Sequence, residues 1–171
     1  MNIRGGGGET LRRLRAEDPA AWANLYDSLA PDLRAYVARL GARSPDDTLG
    51  EVMVQIVRSI RSFRGSDEEI RPWAFGIARH RVLDEARRRS RRPVETPLEN
   101  DEALAPLDSD PDPGALSEYL DLLTDDQRDV VWLRFGLDFS LEETAEIVGK
   151  DPQAVAALSY RALQRLRRHL S

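Results

Sequence analysis

Residues 93–113 divide the chain into two parts. This segment holds five prolines and seven acidic side chains, and it has no basic residue and no regular spacing of apolar residues. Prolines at this density block helix formation, and the uncompensated negative charge opposes collapse into a core. The sequence therefore predicts an extended acidic linker between two small modules, residues 9–92 and 114–171, with a disordered tail over the glycine-rich residues 1–8.

The N-terminal module has the apolar spacing of three amphipathic helices, over residues 19–40, 45–60 and about 71–89, with a polar connector over residues 63–70. A proline stands at the start of each helix, where its missing N–H is not needed. No segment shows the strict alternation of a strand, so we predict an all-α fold. The stripes of the first two helices predict these core residues: Trp22, Leu25, Tyr26, Leu29, Leu33, Tyr36, Val37 and Leu40, then Leu49, Val52, Met53, Ile56, Val57, Ile60 and Phe63.

The predicted third helix combines an aromatic side chain with many basic groups. Seven arginines fall between residues 79 and 92. An aromatic stacking platform beside cations is what single-stranded nucleic acid binding requires. The alternative is a solvated basic face, with Trp73 and Ile77 as ordinary core residues. One helical face carries Trp73, Ile77, His80, Asp84 and Arg88, and the other, which suits close helix packing, carries Ala74, Phe75, Ala78, Val82 and Ala86.

The C-terminal module has helix-turn-helix spacing. Helices are predicted over residues 125–135, 140–148 and 152–170, and Gly149 supplies the tight turn between the last two. Such a pair places its second helix in the major groove of DNA, and a plain helical hairpin in another bundle is the alternative. Leu141, Ala145, Ile147, Val148, Val155, Leu158, Ala162 and Leu166 are predicted to pack inward, and Gln153, Ala156, Ala157, Tyr160, Arg161 and Gln164 to point outward.

Composition argues against several classes of protein. The chain has no cysteine and only two histidines, which removes disulfides, thiolate metal sites and a His-based metal cluster. The N-terminal glycines follow no strand, so they do not form a phosphate loop. Asp46, Asp47 and Glu51 have no histidine nearby and are typical of acids that complement a helix dipole. We predict no enzymatic activity, no metal and no cofactor.

Neither a membrane span nor a secretion signal is visible in the sequence. No apolar run approaches the roughly 20 residues that a transmembrane helix needs, and the N-terminus lacks the apolar region of a signal peptide. A soluble cytoplasmic protein, without membrane insertion, is the expectation.

The net charge of −5 conceals an asymmetry along the chain. Residues 1–92 carry +5, residues 93–113 carry −7, and residues 114–171 carry −3. Such a distribution indicates that different segments meet different partners.

Short motifs follow one another in order along both modules. The N-terminal ones are Leu25-Tyr26, Pro45-Asp-Asp-Thr-Leu-Gly-Glu-Val52, Phe63-Arg-Gly65, the run from Trp73 to Asp84, and Arg87-Arg88-Arg89. The C-terminal ones are the runs from Leu123 to Arg134, from Leu141 to Gly149 and from Tyr160 to Arg167. Together, with an acidic linker between them, they resemble regions 2 and 4 of the extracytoplasmic-function (ECF, group IV) sigma factors of bacterial RNA polymerase, over residues 9–171.

The resemblance implies an alternative sigma factor with three contact surfaces. Asp47, Glu51 and Gln55 would meet the coiled coil of the polymerase β′ subunit. Residues 65–71 would hold an unstacked non-template base of the −10 element, and the residues contacting that strand would be Trp73, Arg79, His80, Arg87 and Arg88. The last helix would enter the major groove of the −35 element through Gln153, Ala156, Ala157, Tyr160, Arg161 and Arg165.

The resemblance also implies partners for the rest of the chain. The acidic linker would run along the basic interior of core RNA polymerase, as nucleic acid does. An anti-sigma factor would cover the apolar and acidic surfaces that polymerase uses.

Four positions depart from the family pattern. Gly50 replaces a usual Gln, which lowers helix propensity by roughly 1 kcal/mol. Ala74 replaces a usual Leu and His80 a usual Asn, both in the segment expected to read the −10 element. Ala156 stands where Lys or Arg is common, which removes an expected contact with the −35 element.

Two other functions fit part of the sequence. A DNA-binding regulator would use only the C-terminal helix-turn-helix and would not bind polymerase. A sigma-like protein could instead titrate an anti-sigma factor, and the uncharged recognition helix is compatible with that role.

Overall fold

The computed structural model describes residues 8–91 and 119–170, which form two compact units on either side of residue 92. Both units are built from helices, and no strand occurs in these two ranges. The all-α prediction is confirmed. The predicted linker over residues 93–113 and residues 1–7 of the predicted tail lie outside the described residues.

The N-terminal unit contains four α-helices and one short turn of 3-10 helix. The α-helices are α1 (Glu9–Arg15), α2 (Pro19–Arg39), α3 (Pro45–Ser59) and α4 (Ile70–Arg91), and the 3-10 turn is Asp67–Glu69. Helices α2, α3 and α4 pack against one another around the core. Its fully buried side chains include Leu29, Leu33, Tyr36, Val37, Val52, Ile56, Phe75 and Val82.

Local sequence explains where α2 begins and ends. The Asp18 carboxylate accepts a hydrogen bond from the Ala20 amide at 3.0 Å, so it caps the helix, and Pro19 occupies the first helical position. At the other end Gly41 has φ +88°, and the Ala42 amide donates to the Val37 carbonyl oxygen at 3.0 Å. This closing geometry favours glycine because other residues rarely adopt a positive φ.

Two residues predicted to belong to the core are exposed. Tyr26 is 47% exposed and Val57 is 51% exposed, whereas the residues just before them, Leu25 and Ile56, are buried. Consecutive positions on a helix are about 100° apart, so each falls at the edge of the stripe, where no neighbouring helix covers it. Three-to-four spacing also includes positions at the edge of the buried face, so the apolar stripes predicted for α2 and α3 are wider than the observed ones.

Helix α1 has no counterpart among the elements predicted from the sequence. Its N-cap residue is Gly8, and no side chain within the helix caps it. Residues Leu11 and Leu14 are nevertheless buried, and the Trp22 indole Nε1 donates to the Leu14 carbonyl oxygen at 3.2 Å. Packing and distant hydrogen bonds therefore stabilise a helix that is too short to be stable alone.

The C-terminal unit contains α5 (Asp125–Val131), α6 (Leu141–Val148) and α7 (Pro152–Leu170), and α5 and α6 each pack against α7. Ser140 and Glu143 form a capping box: the Glu143 amide donates to Ser140 Oγ at 3.0 Å, and the Ser140 amide donates to Glu143 Oε2 at 2.8 Å. Gly149 ends α6 at φ +66°, and Asp151 caps α7 through the Ala154 amide at 2.9 Å.

The segment after α5 differs from the predicted continuous helix to residue 135. A π-helical turn spans Trp132–Gly136, and the Leu137 amide donates to the Trp132 carbonyl oxygen at 3.0 Å. A Cβ atom at position 136 would lie 2.7 Å from the Trp132 ring, so the ring packs where only glycine fits. The sequence carries no periodic signal for such a one-residue change of register.

Most inward and outward predictions for α6 and α7 are confirmed, with small corrections. Residues Val155 and Ala162 are buried and Tyr160 is exposed, as expected. Leu141, Leu158 and Leu166 are only half-buried, and Gln164, predicted to point outward, is half-buried as well. These residues lie at the edge of the packed stripe.

Within residues 8–91 and 119–170, no helix has both the length and the hydropathy needed to span a membrane. The same ranges contain no group of three or more His, Cys, Asp or Glu side chains that could hold a metal ion.

Candidate nucleic-acid and protein interfaces

One face of α3 forms an open groove. Asp47, Glu51 and Gln55 are spaced four residues apart, so they lie one turn after another, and all three are exposed. The groove has a volume of about 690 Å³ and is lined by Asp46, Asp47, Gly50, Glu51, Val54, Gln55, Arg58 and Arg81. The structure therefore brings together the three residues predicted to bind polymerase.

Two ion pairs fix the acidic rim of this groove. Arg81 Nε of α4 donates to Glu51 Oε2 at 2.7 Å, and Arg34 Nε of α2 donates to Asp46 Oδ1 at 2.6 Å. The hydrogen bond from Arg34 holds the pKa of Asp46 below its usual value. Sequence reasoning missed the role of Arg81, because only the packing of α3 against α4 brings it to Glu51, thirty positions away.

Gly50 lies in the middle of the groove. A Cβ atom there would meet no other atom within 4 Å, and its φ is an ordinary negative one. Neither backbone geometry nor packing therefore requires a glycine. Gly50 therefore lines the groove without contributing a side chain.

The residues predicted to contact the −10 strand are spread along α4. Trp73 and Arg79 are half-buried, and His80, Arg87 and Arg88 are exposed. At a rise of 1.5 Å per residue, Trp73 and Arg87 are about 20 Å apart along the helix. The structure does not gather the five residues into a pocket. Trp73, His80, Arg87 and Arg88 lie within about 60° of one helical face, as a stripe that suits an extended strand, whereas Arg79 lies about 120° around the helix from Trp73.

One side of the Trp73 ring is covered by another aromatic residue. The Phe63 ring lies with its centroid 4.5 Å from that of Trp73, and a Cβ atom at Gly65 would lie 2.4 Å from Phe63 Cζ. The connector therefore folds over Trp73, so a base could stack only on the part of the ring that Phe63 leaves uncovered. Sequence reasoning placed Phe63 in a core stripe and missed this pair.

The alanine face of α4 is a packing face over most of its length. Ala74, Phe75, Ala78 and Val82 are fully buried, as predicted. Ala86 is exposed, because it lies beyond the part of α4 that its neighbours cover. Since Ala74 is inaccessible, its departure from the family pattern changes packing and not a surface that DNA could reach.

The outer face of α7 carries the residues predicted to meet the −35 element. Gln153, Ala156, Ala157, Arg161 and Arg165 are exposed, and Tyr160 is 65% exposed. On the opposite side Val155 and Ala162 are buried, and the buried Ser159 hydroxyl donates to the Val155 carbonyl oxygen at 2.9 Å. All six residues therefore share one accessible surface of the helix.

Comparisons with known proteins identify the family of both units. The family model for sigma-70 region 2 matches residues 25–92, and the one for sigma-70 region 4 matches residues 114–166. The chain is 30% identical over 178 residues to the ECF RNA polymerase sigma factor SigD of Mycobacterium tuberculosis H37Rv, covering 94% of this chain and 84% of that protein. The chain belongs to the ECF sigma factors of the sigma-70 family. It is thus an alternative sigma factor.

A further relative and two solved structures are similar to this chain. The ECF sigma factor BldN of Streptomyces coelicolor is 29% identical over 171 residues, which cover 95% of this chain and 65% of BldN. Among solved structures, the sigma factor RpoE of Bartonella quintana, in complex with the anti-sigma factor NepR, has a TM-score of 0.70 at 24% identity, covering 86% of this chain and 95% of RpoE. CnrH, in complex with the cytosolic domain of CnrY, has a TM-score of 0.66 at 18% identity, covering 94% of each chain.

Proposed function

We propose that this ECF sigma factor binds core RNA polymerase and the −10 element through residues 9–92, and the −35 element through residues 114–171. The acidic segment over residues 93–113 would connect the two along the basic interior of the polymerase. The observation that carries the proposal is the α3 groove, which brings Asp47, Glu51 and Gln55 together on one exposed face. The protein would work in the cytoplasm, and its role would be to direct polymerase to promoters, without catalysis of its own.

The chemistry of the α3 groove suits the β′ coiled coil. Its rim carries the carboxylates of Asp46, Asp47 and Glu51, while Val54 gives the lining an apolar side chain that is 48% exposed. A helical partner with basic side chains around an apolar seam would complement both features. Asp47 would meet a basic group directly, whereas Glu51 would share its carboxylate between the partner and Arg81.

The stripe on α4 would hold the non-template strand of the −10 element. His80, Arg87 and Arg88 offer exposed groups for bases and phosphates, and residues 65–71 lie beside Trp73 at the start of the helix. An unstacked base held at this end would leave the rest of the strand to follow the basic side chains. Arg88 also pairs with Asp84 at 2.9 Å, so binding a phosphate would compete with that ion pair.

An anti-sigma factor is proposed as a competing partner of the α3 face. Val54 and Val57 are both about half exposed beside the acidic groove, which leaves apolar surface that a partner could bury. The Bartonella RpoE structure, which contains an anti-sigma factor, supports the idea that a chain of this fold takes such a partner.

Run-off transcription with purified core polymerase tests the main function. The chain should give promoter-dependent transcripts that core enzyme alone does not give, and it should co-purify with core. A regulator that uses only its helix-turn-helix would bind promoter DNA without binding core. A chain that only titrates an anti-sigma factor would bind that factor and give no transcript on any cognate promoter.

The proposed −35 surface leads to a prediction at position 156. Ala156→Arg should strengthen binding of the full-length protein to a −35 duplex severalfold and should steepen the dependence of log K on log salt by about 0.9, the value for one phosphate contact. For the native protein, the slope of log K against log salt should be shallow and equivalent to about two to three phosphate contacts. The reason is that Arg161 and Arg165 are the basic groups expected to bind. A salt titration of both proteins on the same duplex measures this.

Ala23→Arg is the matched control for that titration. Ala23 is an exposed helical alanine on α2, so the substitution adds the same charge to the N-terminal unit. It should change the slope little. Equal slopes for native protein and Ala156→Arg would show that position 156 does not face DNA.

A further inference from the structure

The connector between α3 and α4 is tied to α1 by a buried carboxylate. Asp67 is only 3% exposed, and its two oxygens accept hydrogen bonds from the backbone amides of Thr10 and Leu11, each at 2.9 Å. Helix α1 has no side-chain cap of its own at Gly8. The carboxylate therefore caps α1 from 57 positions away, satisfying two amides that would otherwise lack partners.

The other end of α1 holds the beginning of the same connector. Arg15 Nη2 donates to the Phe63 carbonyl oxygen at 2.6 Å, and Arg15 Nε donates to the Ile60 carbonyl oxygen at 3.4 Å. Just beyond the helix, Arg61 Nη2 donates to Glu17 Oε1 at 2.6 Å. Helix α1 thus bonds to the connector on both sides of Gly65.

Helix α1 is itself firmly attached to the core. Leu11 and Leu14 are buried, and the Trp22 indole of α2 donates to the Leu14 carbonyl oxygen. The hydrogen bonds from α1 to Asp67 and Phe63 therefore hold the connector in a fixed position relative to the core.

Contacts inside the connector fix the remainder of its shape. The Ser66 amide donates to Glu69 Oε2 at 2.6 Å, and this bond lowers the pKa of the Glu69 carboxyl. The Phe63 ring fills the space beside Gly65 and packs on Trp73. The exposed residues of the connector are therefore held in one arrangement at the start of α4.

We propose that α1, through Asp67 and Arg15, positions the connector to hold the unstacked base of the −10 element. This inference rests on the proposed function of residues 65–71. Asp67 is buried and its oxygens are occupied by amides, so it is a positioning residue and does not contact DNA. The sigma-70 region 2 match begins at residue 25, so the helix that carries this role lies before it.

Preorganisation is the physical reason for the role. A loop that is ordered before binding does not lose conformational freedom when it takes up the base, and the affinity is higher by that amount. Releasing the connector from α1 should weaken the hold on one base. It should leave the contacts along α4 and the α3 groove intact.

The test scans the non-template −10 strand with abasic sites. Full-length protein assembled with core polymerase is bound to −10 oligonucleotides that lack one base at a time. For the native holoenzyme, removing the base held by the connector should weaken binding by roughly 5- to 150-fold, the loss that corresponds to about 1–3 kcal/mol of hydrogen bonds and contacts to that base. For the Asp67→Ala holoenzyme, removing the same base should weaken binding by less than about threefold. The losses of affinity caused by abasic sites at other positions, and the affinity of the protein for core polymerase, should stay near native values.

Arg15→Ala provides an independent variant that leaves the buried residues untouched. Arg15 is exposed, and the substitution removes its bonds to the Phe63 and Ile60 carbonyl oxygens. It should reduce the same abasic penalty. Arg12→Ala is the matched control, because Arg12 is exposed on the same helix and pairs only weakly with Glu9 at 3.8 Å. Asp67→Asn keeps one acceptor oxygen for the α1 amides. Removing the base held by the connector should therefore weaken its binding more than it does for Asp67→Ala, but less than for the native protein.

The outcomes separate this inference from the function on which it rests. If native holoenzyme shows no abasic penalty at any position, the proposed base-holding role of residues 65–71 is wrong. If it shows one, and both Asp67→Ala and Arg15→Ala retain it in full, α1 does not position the connector. A general loss of stability would lower binding at every position equally, and that result also contradicts the inference. Should Asp67→Ala fail to fold, Arg15→Ala alone decides.

Discussion

Reversing both charges with Asp47→Arg and Glu51→Arg should lower the affinity for core polymerase by at least about 100-fold, because two attractive contacts across the interface would become repulsive. Both residues are exposed, so the free energy of unfolding should change by no more than about 1 kcal/mol. Fluorescence-detected binding to core, together with a thermal melt of the free protein, measures the two quantities.

The Glu51–Arg81 ion pair requires a control of its own. Glu51→Arg alone removes this ion pair and places two guanidinium groups side by side. Combining Glu51→Arg with Arg81→Glu restores an ion pair of reversed direction. If polymerase recognises the charge on α3, this exchange should not restore binding; full recovery would mean that the ion pair, and not the charge at position 51, matters.

A second control reverses two acids that are four residues apart elsewhere. Glu142 and Glu146 are exposed on α6, in the other unit. Their double reversal should leave core binding through the N-terminal unit nearly unchanged. If the Asp47→Arg/Glu51→Arg variant binds core polymerase as strongly as this control does, the α3 groove is not the polymerase-binding surface.

Trp73→Ala should weaken binding of the holoenzyme to single-stranded −10 DNA by roughly 5- to 150-fold, the contribution of one base stacked on an aromatic ring. The substitution should also destabilise the free protein by about 3 kcal/mol, because it removes the Phe63 contact and leaves space beside it. Binding is therefore measured well below the melting temperature of the variant.

Two further variants separate stacking from packing. Trp73→Phe keeps an aromatic face and should retain much of the DNA affinity. Ile77→Ala removes a half-buried side chain one turn further along α4 and should lower stability with little effect on the −10 strand. A Trp73→Ala protein that is destabilised but melts promoter DNA normally would show that this residue belongs to the core only.

Elements with a cap and a continuous apolar stripe could be predicted from sequence. Helix α6 shows why: the Ser140–Glu143 capping box fixes its start and Gly149 fixes its end, so its limits depend only on residues within it. The same holds for α2, between Asp18 and Gly41. The predicted family is confirmed by the matches to sigma-70 regions 2 and 4.

Features that depend on distant residues could not be predicted. Helix α1 is capped by Asp67, and nothing near Gly8 indicates this. The partnership of Glu51 with Arg81, and that of Trp73 with Phe63, likewise arise from the packing of separate segments. The periodicity of apolar residues assigns each residue to a face of its helix, but it does not show which side chains of different segments come into contact. The assigned roles of the contact residues therefore remain predictions.

The glycine at position 50 has a thermal consequence. An exposed glycine in the middle of a helix costs about 0.5–1 kcal/mol relative to alanine, and here no close contact offsets that cost. In a domain of 60–100 residues, such a difference corresponds to about 2–8 °C in melting temperature. A chain with alanine at this position would therefore melt a few degrees higher and would add one methyl group to the lining of the groove.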